Sequence, residues 1–431
     1  MKLFLPLLAI VLLTLPLRAG SVPTGKAEEA GMSAERLGRV KEAVQRHIDN
    51  GNIPGAVTIV ARNGRIVHFE AHGVLDVETK KAMPKDAIFR LASMTKPVAA
   101  VSVMMMVEEG KVRLTDPISR FIPEFANMKV AVAPPGGRAG GAPAGPAAPG
   151  GGRGGPPPPV DLVTANRQIT IKDLLTHGSG IMSGGLGQGQ AGANGQRRPD
   201  DTLATYIPRL AAIPIDFQPG TLWRYSGLHG LDIAARIVEI VSGQPYNVFL
   251  KQRLFDPLGM KDTGFALPAA DPRLVPLYTR QQGGGFTRAA DQGQLQSATY
   301  FSASGGLVST AEDYLQFAQM LVNGGELNGR RYLSPRTISL MASNHTGNLL
   351  AGQFGAPAGG GIGFGLGVQV VEDPVLAGRN VSKGAWGWAG AYGTNVHIEP
   401  AEKMVQIILM QVSTGQLQRD YESAVQQAIT N

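Results

Sequence analysis

Apolar residues recur at Leu37, Val40, Val44 and Ile48, three or four positions apart, behind a serine at position 33. That spacing predicts a helix over residues 33–50 with one buried face and Ser33 as its cap. The period then changes. Residues 55–62 and 65–72 are rich in β-branched and apolar types and are joined by Asn63-Gly64. Asn-Gly between two such runs is a strong hairpin signal. Residues 98–109 are apolar almost throughout and end at Gly110, so they predict a buried helix whose methionines at 104–106 fill core space. Further helices are expected over 169–175, 231–241 and 310–323. Gly243 ends the second; the third has Thr310 as cap, Glu312 and Asp313 in its first turn, and Gly324 behind it. Strands return at 394–399 and 404–411 around a turn at 400–403, and a last helix is expected over 420–430.

Strands at both ends with helices between them predict an α/β plus all-α chain. Its antiparallel β-sheet, flanked by helices, is built from both termini, and a mainly helical second subdomain lies in the middle. The expected sheet subdomain comprises 25–98 and 300–431, and the helical one 99–299. A length of 431 residues suits two such units. Residues 131–160 are so rich in Gly, Ala and Pro that they predict a disordered, partly polyproline loop within the helical part. Residues 184–195 and 355–363 are expected to be flexible loops as well.

The first residues add a location. Lys2 precedes an apolar run at 3–17, and small residues follow at Ala19, Gly20 and Ser21. This pattern predicts a signal peptide over 1–20, and hence a periplasmic or secreted protein. The run is shorter than the ~20 residues that span a bilayer, so no stable membrane insertion is expected once it is cleaved. The net charge of +7 is scattered, with no Lys/Arg run longer than two, which speaks against a nucleic-acid partner. The absence of cysteine excludes disulfides, thiolate metal sites and a cysteine nucleophile.

Candidate chemistry begins at Leu91-Ala92-Ser93-Met94-Thr95-Lys96. If Ser93 opens a helix, Lys96 lies one turn on, on the same face, with Cβ atoms ~5–6 Å apart. A serine needs a base to become a nucleophile, and a lysine whose neutral form is favoured can be one. The helix N-terminus places partial positive charge near a developing oxyanion. Pro97 is compatible only with a first helical turn, which supports a start at or just before Ser93. Ser-x-x-Lys alone is a common accident. Two later segments are not: Pro219-Gly220-Thr221-Leu222-Trp223-Arg224-Tyr225-Ser226-Gly227, and Gly387-Trp388-Ala389-Gly390-Ala391-Tyr392-Gly393-Thr394.

In that order and separation, the three segments resemble the motifs of the serine β-lactamase and penicillin-binding-protein superfamily. The match is to the branch holding class C β-lactamases, D-amino-acid peptidases and, nearest of all, family VIII carboxylesterases. Residues 171–180 and 304–310 also look like that family. The resemblance implies a covalent acyl-enzyme on Ser93, with Tyr225 acting beside Lys96 as general base and then protonating the leaving group. It further implies an oxyanion hole made by the backbone N–H groups of Ser93 and Ala391, the latter following the third motif on an edge strand.

Departures from the pattern bear on substrate. Gly227 stands where the family's second motif ends in Asn, and Trp388 and Ala389 stand where the third carries Lys and Thr. Trp388, Ala389, Gly390 and Gly227 are therefore the candidate substrate-binding positions. An uncharged indole suits an apolar group better than a carboxylate. The expected activity is hydrolysis of a small or medium acyl ester. A D-amino-acid peptidase or β-lactamase of the same fold, and a non-catalytic binding or scaffold protein, are the alternatives. The partner is a small-molecule ester or amide, no cofactor or metal is expected, and the sequence leaves the oligomeric state open. His68 and His72 read as solvent-facing strand residues, and His177 and His397 as structural. There is no Gly-x-Ser-x-Gly and no His-Glu-x-x-His.

Overall fold

The computed structural model describes residues 21–135, 158–266, 271–290, 295–412 and 414–431. The expected signal peptide, and most of the Gly/Pro-rich stretch, lie outside them.

An eight-stranded antiparallel sheet organises the chain. Its strands are β1 (Gly55–Arg62), β2 (Arg65–Asp76), β3 (Lys81–Ala82), β4 (Ile362–Phe364), β5 (Gln369–Val371), β6 (Trp386–Ala389), β7 (Asn395–Glu399) and β8 (Met404–Leu409). The spatial order is β4-β5-β6-β7-β8-β1-β2-β3, so the C-terminal strand joins the N-terminal one. Val57 lies opposite Leu409 and Ile59 opposite Ile407. Asn63 and Gly64 both take positive φ, 52° and 72°, as a tight hairpin between right-twisted strands requires.

Alternation along β1 sends residues to two layers. Ala56 and Val60 meet Leu37, Val40 and Val44 of α1 (Ala34–Asp49) and residues of the last helix. Val57, Ile59 and Ala61 face the larger core, which contains α2 (Thr95–Glu108), α3 (Ile171–Leu175), α4 (Gly230–Ser242) and α5 (Ala311–Val322). Burying each such Val or Ile is worth about 1.5–3 kcal/mol. The Ser33 and Thr310 side chains cap α1 and α5 as expected. The last helix, α6 (Gly415–Gln426), begins before and ends before its predicted span.

Three expectations change. Residues 131–132 belong to a strand, Lys129–Val132, which pairs with Asp161–Thr164 and closes the base of the Gly/Pro-rich stretch. Short helices occupy Leu186–Gly189 and Gly192–Gly195 in the expected loop at 184–195. Residues 362 and 363 are in β4, and β5 and β6 were hidden by their length: strands of three or four residues are too brief to show a period.

Candidate active site

Ser93 sits in a 3-10 turn, Ala92–Met94, which runs directly into α2. Ala92 takes φ +46°, an unfavourable left-handed conformation for a residue with a Cβ. The turn is held on every side. Leu91 N–H donates to Leu307 O at 2.9 Å, and Leu307 N–H to Thr95 Oγ1 at 3.2 Å. Tyr314 OH donates to Met94 O at 2.8 Å, and Thr394 Oγ1 to Leu91 O at 2.9 Å. Such over-determination is what lets a strained backbone persist at a functional site.

Lys96 follows one turn later and is fully buried. Its Nζ lies 2.7 Å from Ser304 O, 2.8 Å from Gly227 O and 3.2 Å from Ser93 Oγ. The Ser304 and Gly227 carbonyls can only accept, so two N–H bonds are committed to them. The third direction faces Ser93. The Tyr225 hydroxyl donates to the same Ser93 Oγ at 2.6 Å, and Nζ stands 4.8 Å from the Tyr225 ring centre. The structure thus brings Ser93, Lys96 and Tyr225 together.

Tyr225 is placed by the stretch around His177. Arg224 N–H donates to His177 O at 3.2 Å and Gly220 N–H to Gly178 O at 2.8 Å. That stretch is anchored in turn by a capping box between Thr170 and Asp173 at the start of α3. The His177 ring packs 4.6 Å from the Tyr225 ring, and neither of its nitrogens finds a hydrogen-bond partner among the described residues. Burial, reinforced by the Lys96 charge, holds its pKa well below the usual imidazole value. A neutral, wedged imidazole is a packing body for Tyr225.

The third segment approaches from β6. Trp388 lies opposite Val396 and is 8% exposed. Its ring stands 5.6 Å from that of Tyr225 and 5.2 Å, edge-on, from Phe364. At Gly390 an added Cβ would fall 2.2 Å from both Leu91 O and Thr394 Oγ1, so only glycine lets this segment reach the Ser93 turn. β6 is not an edge strand: it pairs with β5 and β7. Its pairing with β5 covers only Trp386 and Gly387, however, so the end carrying Ala389 is free of β5. Ala391, itself exposed, follows in the turn before β7.

Sequence reasoning missed the two carbonyls that hold Lys96, because every residue carries one. At Gly227 the backbone supplies a contact although the motif's usual side chain is absent, and there is room for one: an added Cβ would come no closer than 3.7 Å, to Tyr225. It also missed an aromatic cluster around Tyr225 made by Trp223, Phe354 and Phe364. Trp223 stood inside a quoted motif, which was the available signal.

Two features elsewhere bear on alternative sites. His68 and His72 are buried, not solvent-facing as expected, because α1 covers this face of the sheet. With Glu70 they place potential ligand atoms within 4.8 Å of one another. Both Nε2 atoms bond the single hydroxyl of Thr58, at 2.8 and 2.9 Å, and the positive charges of Lys85 and Lys41 act on them, which disfavours a cation. A cavity of about 640 Å³ lined by Lys251, Asp262, Arg273 and Phe301 touches none of Ser93, Lys96, Tyr225 or Trp388. Arg273 there is already committed to Asp262 and Asp271 at 2.8 and 2.7 Å.

Known proteins share this arrangement's frame. The family model described as Beta-lactamase matches residues 40–429. Protein Rv1367c of Mycobacterium tuberculosis is 34% identical over 377 residues, covering 86% of this chain and 88% of that protein. Esterase EstB of Burkholderia gladioli is 28% identical over 410 residues, covering 90% and 92%. The solved structure of EstCE1, described as a hydrolase with promiscuous acyltransferase activity, superposes with a TM-score of 0.72 at 27% identity, over 91% of this chain and 99% of that one.

Proposed function

We propose that this chain, which belongs to the β-lactamase family and is a serine hydrolase of that fold, cleaves carboxylic esters with a small or medium acyl group through an acyl-enzyme on Ser93. The observation that carries the reading is a hydroxyl within 2.6 Å of Tyr225 OH and 3.2 Å of Lys96 Nζ, with an indole in place of a cation beside them.

Acting as base, Lys96 keeps two N–H bonds to the Gly227 and Ser304 carbonyls and presents its remaining position to Ser93 Oγ. Ser93 attacks the ester carbonyl carbon while its proton passes to the Lys96–Tyr225 pair. The carbonyl oxygen gains negative charge in a pocket formed by the N–H groups of Ser93 and Ala391, where one donor is typically worth ~10²–10³ in rate. As the C–O bond to the alcohol breaks, Tyr225 returns a proton to the departing oxygen. Water then repeats the sequence on the acyl-enzyme and frees the acid.

The indole of Trp388 favours an uncharged group at the place where a cation would hold a carboxylate. EstB and EstCE1 are described as an esterase and a hydrolase, which supports the same reading. A panel of p-nitrophenyl esters, nitrocefin and D-Ala-D-Ala peptides tests it. Turnover of p-nitrophenyl butyrate at least tenfold faster than of either competitor is expected. Faster cleavage of the D-Ala peptide would overturn the ester assignment. No mass adduct on Ser93 after fluorophosphonate treatment would overturn the mechanism.

A further inference from the structure

Phe354 combines strain, exposure and contact with Tyr225. Its φ is +48°, in the left-handed region that is unfavourable for a residue with a Cβ. It sits between Gly352 and Gly355, with φ of +78° and +77°, in a turn closed by hydrogen bonds from Gly352 N–H to Ala356 O at 3.1 Å and from Ala356 N–H to Gln353 O at 2.9 Å. Gln369 Nε2 on β5 donates to Phe354 O at 3.4 Å. The ring lies 4.7 Å from that of Tyr225, 5.3 Å from Trp223 and 6.2 Å from Trp388. Trp223 and Trp388 are buried, yet Phe354 remains 38% exposed.

A core phenylalanine would be buried in a relaxed backbone, and an ordinary surface turn would leave a ring at this φ without aromatic partners. Phe354 is neither. Its backbone is bent into an unfavourable region, and the bend holds its ring against the tyrosine that touches the nucleophile. Strain of this kind points from an observed outlier to function. The chemistry around Tyr225 is uniform: the rings of Phe354, Trp223 and Trp388 pack about it, and of these three Phe354 is the one with an exposed apolar face.

We propose that Phe354 is a specificity-determining residue: it forms the outer wall of an aromatic cleft beside Ser93 that admits slender or flat apolar groups of the ester and turns away bulky branched ones. The inference rests on the ester-hydrolase reading above. It goes beyond that reading by naming the shape selected and the residue that selects it.

Phe354→Gly is the decisive variant, because glycine accepts the backbone conformation while the ring is removed. Two ester pairs are compared. The acyl group varies in p-nitrophenyl butyrate against p-nitrophenyl pivalate, and the alcohol varies in phenyl acetate against 1-naphthyl acetate. In Phe354→Gly, the ratio of kcat/KM for the bulky member to that for the slender one is expected to rise at least tenfold in one pair or both. A purely structural role would slow all four esters by one factor and leave both ratios within twofold of the wild type; that result overturns the proposal. If Phe354→Gly loses its cooperative melt, Phe354→Leu is measured instead, with a rise of threefold or more expected and a ratio within 1.5-fold overturning. If the wild type cleaves no ester, the ester reading fails separately. The wall is then read from the rates at which a small and a bulky fluorophosphonate label Ser93, and an unchanged ratio of those rates overturns it.

Discussion

The backbone N–H of Ser304 donates to Asp232 Oδ1 at 2.7 Å, and the carbonyl of the same residue receives Lys96 Nζ at 2.7 Å. One buried carboxylate on α4 therefore sets the position of the carbonyl that aims the candidate base. Asp232 also receives Tyr300 OH at 2.7 Å and Ser302 Oγ at 3.1 Å, and burial raises its pKa above the usual carboxylate value despite these donors. Asp232 touches no reacting atom; it is a positioning residue. In Asp232→Asn the amide cannot accept from all three donors, and a buried donor left unpaired costs ~1–3 kcal/mol. A fall in kcat of at least tenfold is expected, with KM within threefold and a displaced acidic limb in the kcat–pH profile. Lower melting temperature with an unchanged pH profile would mean that Asp232 only supports the fold.

Gly390 makes the sharpest steric prediction. Alanine there would press on Leu91 O and Thr394 Oγ1, both 2.2 Å from the new Cβ, and one is backbone that cannot rotate away. The segment carrying Ala391 must then retreat from the Ser93 turn. Gly390→Ala is expected to lower kcat by two orders of magnitude or more while the far-ultraviolet circular dichroism stays that of the wild type. Gly38→Ala on α1 is the control, since its added Cβ would meet nothing within 4 Å. Equal rates for Gly390→Ala and wild type would show that the approach of the two segments is unimportant.

The Thr58 hub predicts acid sensitivity. His68 and His72 are held at pKa values of about 4, in both cases first by burial; the neighbouring positive charges of His72 and Lys85 add to this for His68, and that of Lys41 for His72. In the unfolded chain each would titrate near 6.5. Between those values the unfolded state binds more protons, so stability rises with pH. The stabilisation is complete above pH 6.5 and is withdrawn as the pH falls towards 4. At about 1.4 kcal/mol per pKa unit, a fall from 6.5 to about 4 is worth roughly 3 to 4 kcal/mol for each histidine and at most about 7 kcal/mol for the pair. The melting temperature is expected to fall over that window, and a His68→Gln/His72→Gln double variant is expected to flatten the fall. An unflattened profile would assign the acid limb to other groups.

How much of this was legible in the sequence depends on whether the signal was local. Asn63-Gly64, the Ser33 and Thr310 caps and the Lys96 spacing from Ser93 are local rules, and each describes what the chain does there. The burial of His68 and His72 was not legible, because it is decided by α1 crossing the sheet face, a tertiary event. Phe354 was equally hidden: in a Gly-rich stretch nothing marks one phenylalanine as facing a tyrosine 129 positions earlier. Tyr225 itself was visible only by resemblance, since no spacing rule links it to Ser93 across 132 residues.

Tyr225 also gives the cleanest separation of chemistry from structure. Its ring is wedged among His177, Phe354 and Trp388, at 4.6, 4.7 and 5.6 Å, and phenylalanine would keep all three contacts. Its hydroxyl is directed at Ser93 Oγ. Tyr225→Phe therefore removes the proposed proton carrier and little else. The melting temperature is expected to stay within about 3 °C of the wild type, while kcat for p-nitrophenyl butyrate falls by two to four orders of magnitude, the range typical of a lost general acid–base group. Ser93→Ala is expected to abolish turnover in the same assay. The two variants differ in one further respect. Tyr225→Phe retains the nucleophile, so slow fluorophosphonate labelling should still add one adduct to the intact mass, and Ser93→Ala should add none. A Tyr225→Phe variant with wild-type kcat would assign both proton transfers to Lys96 alone.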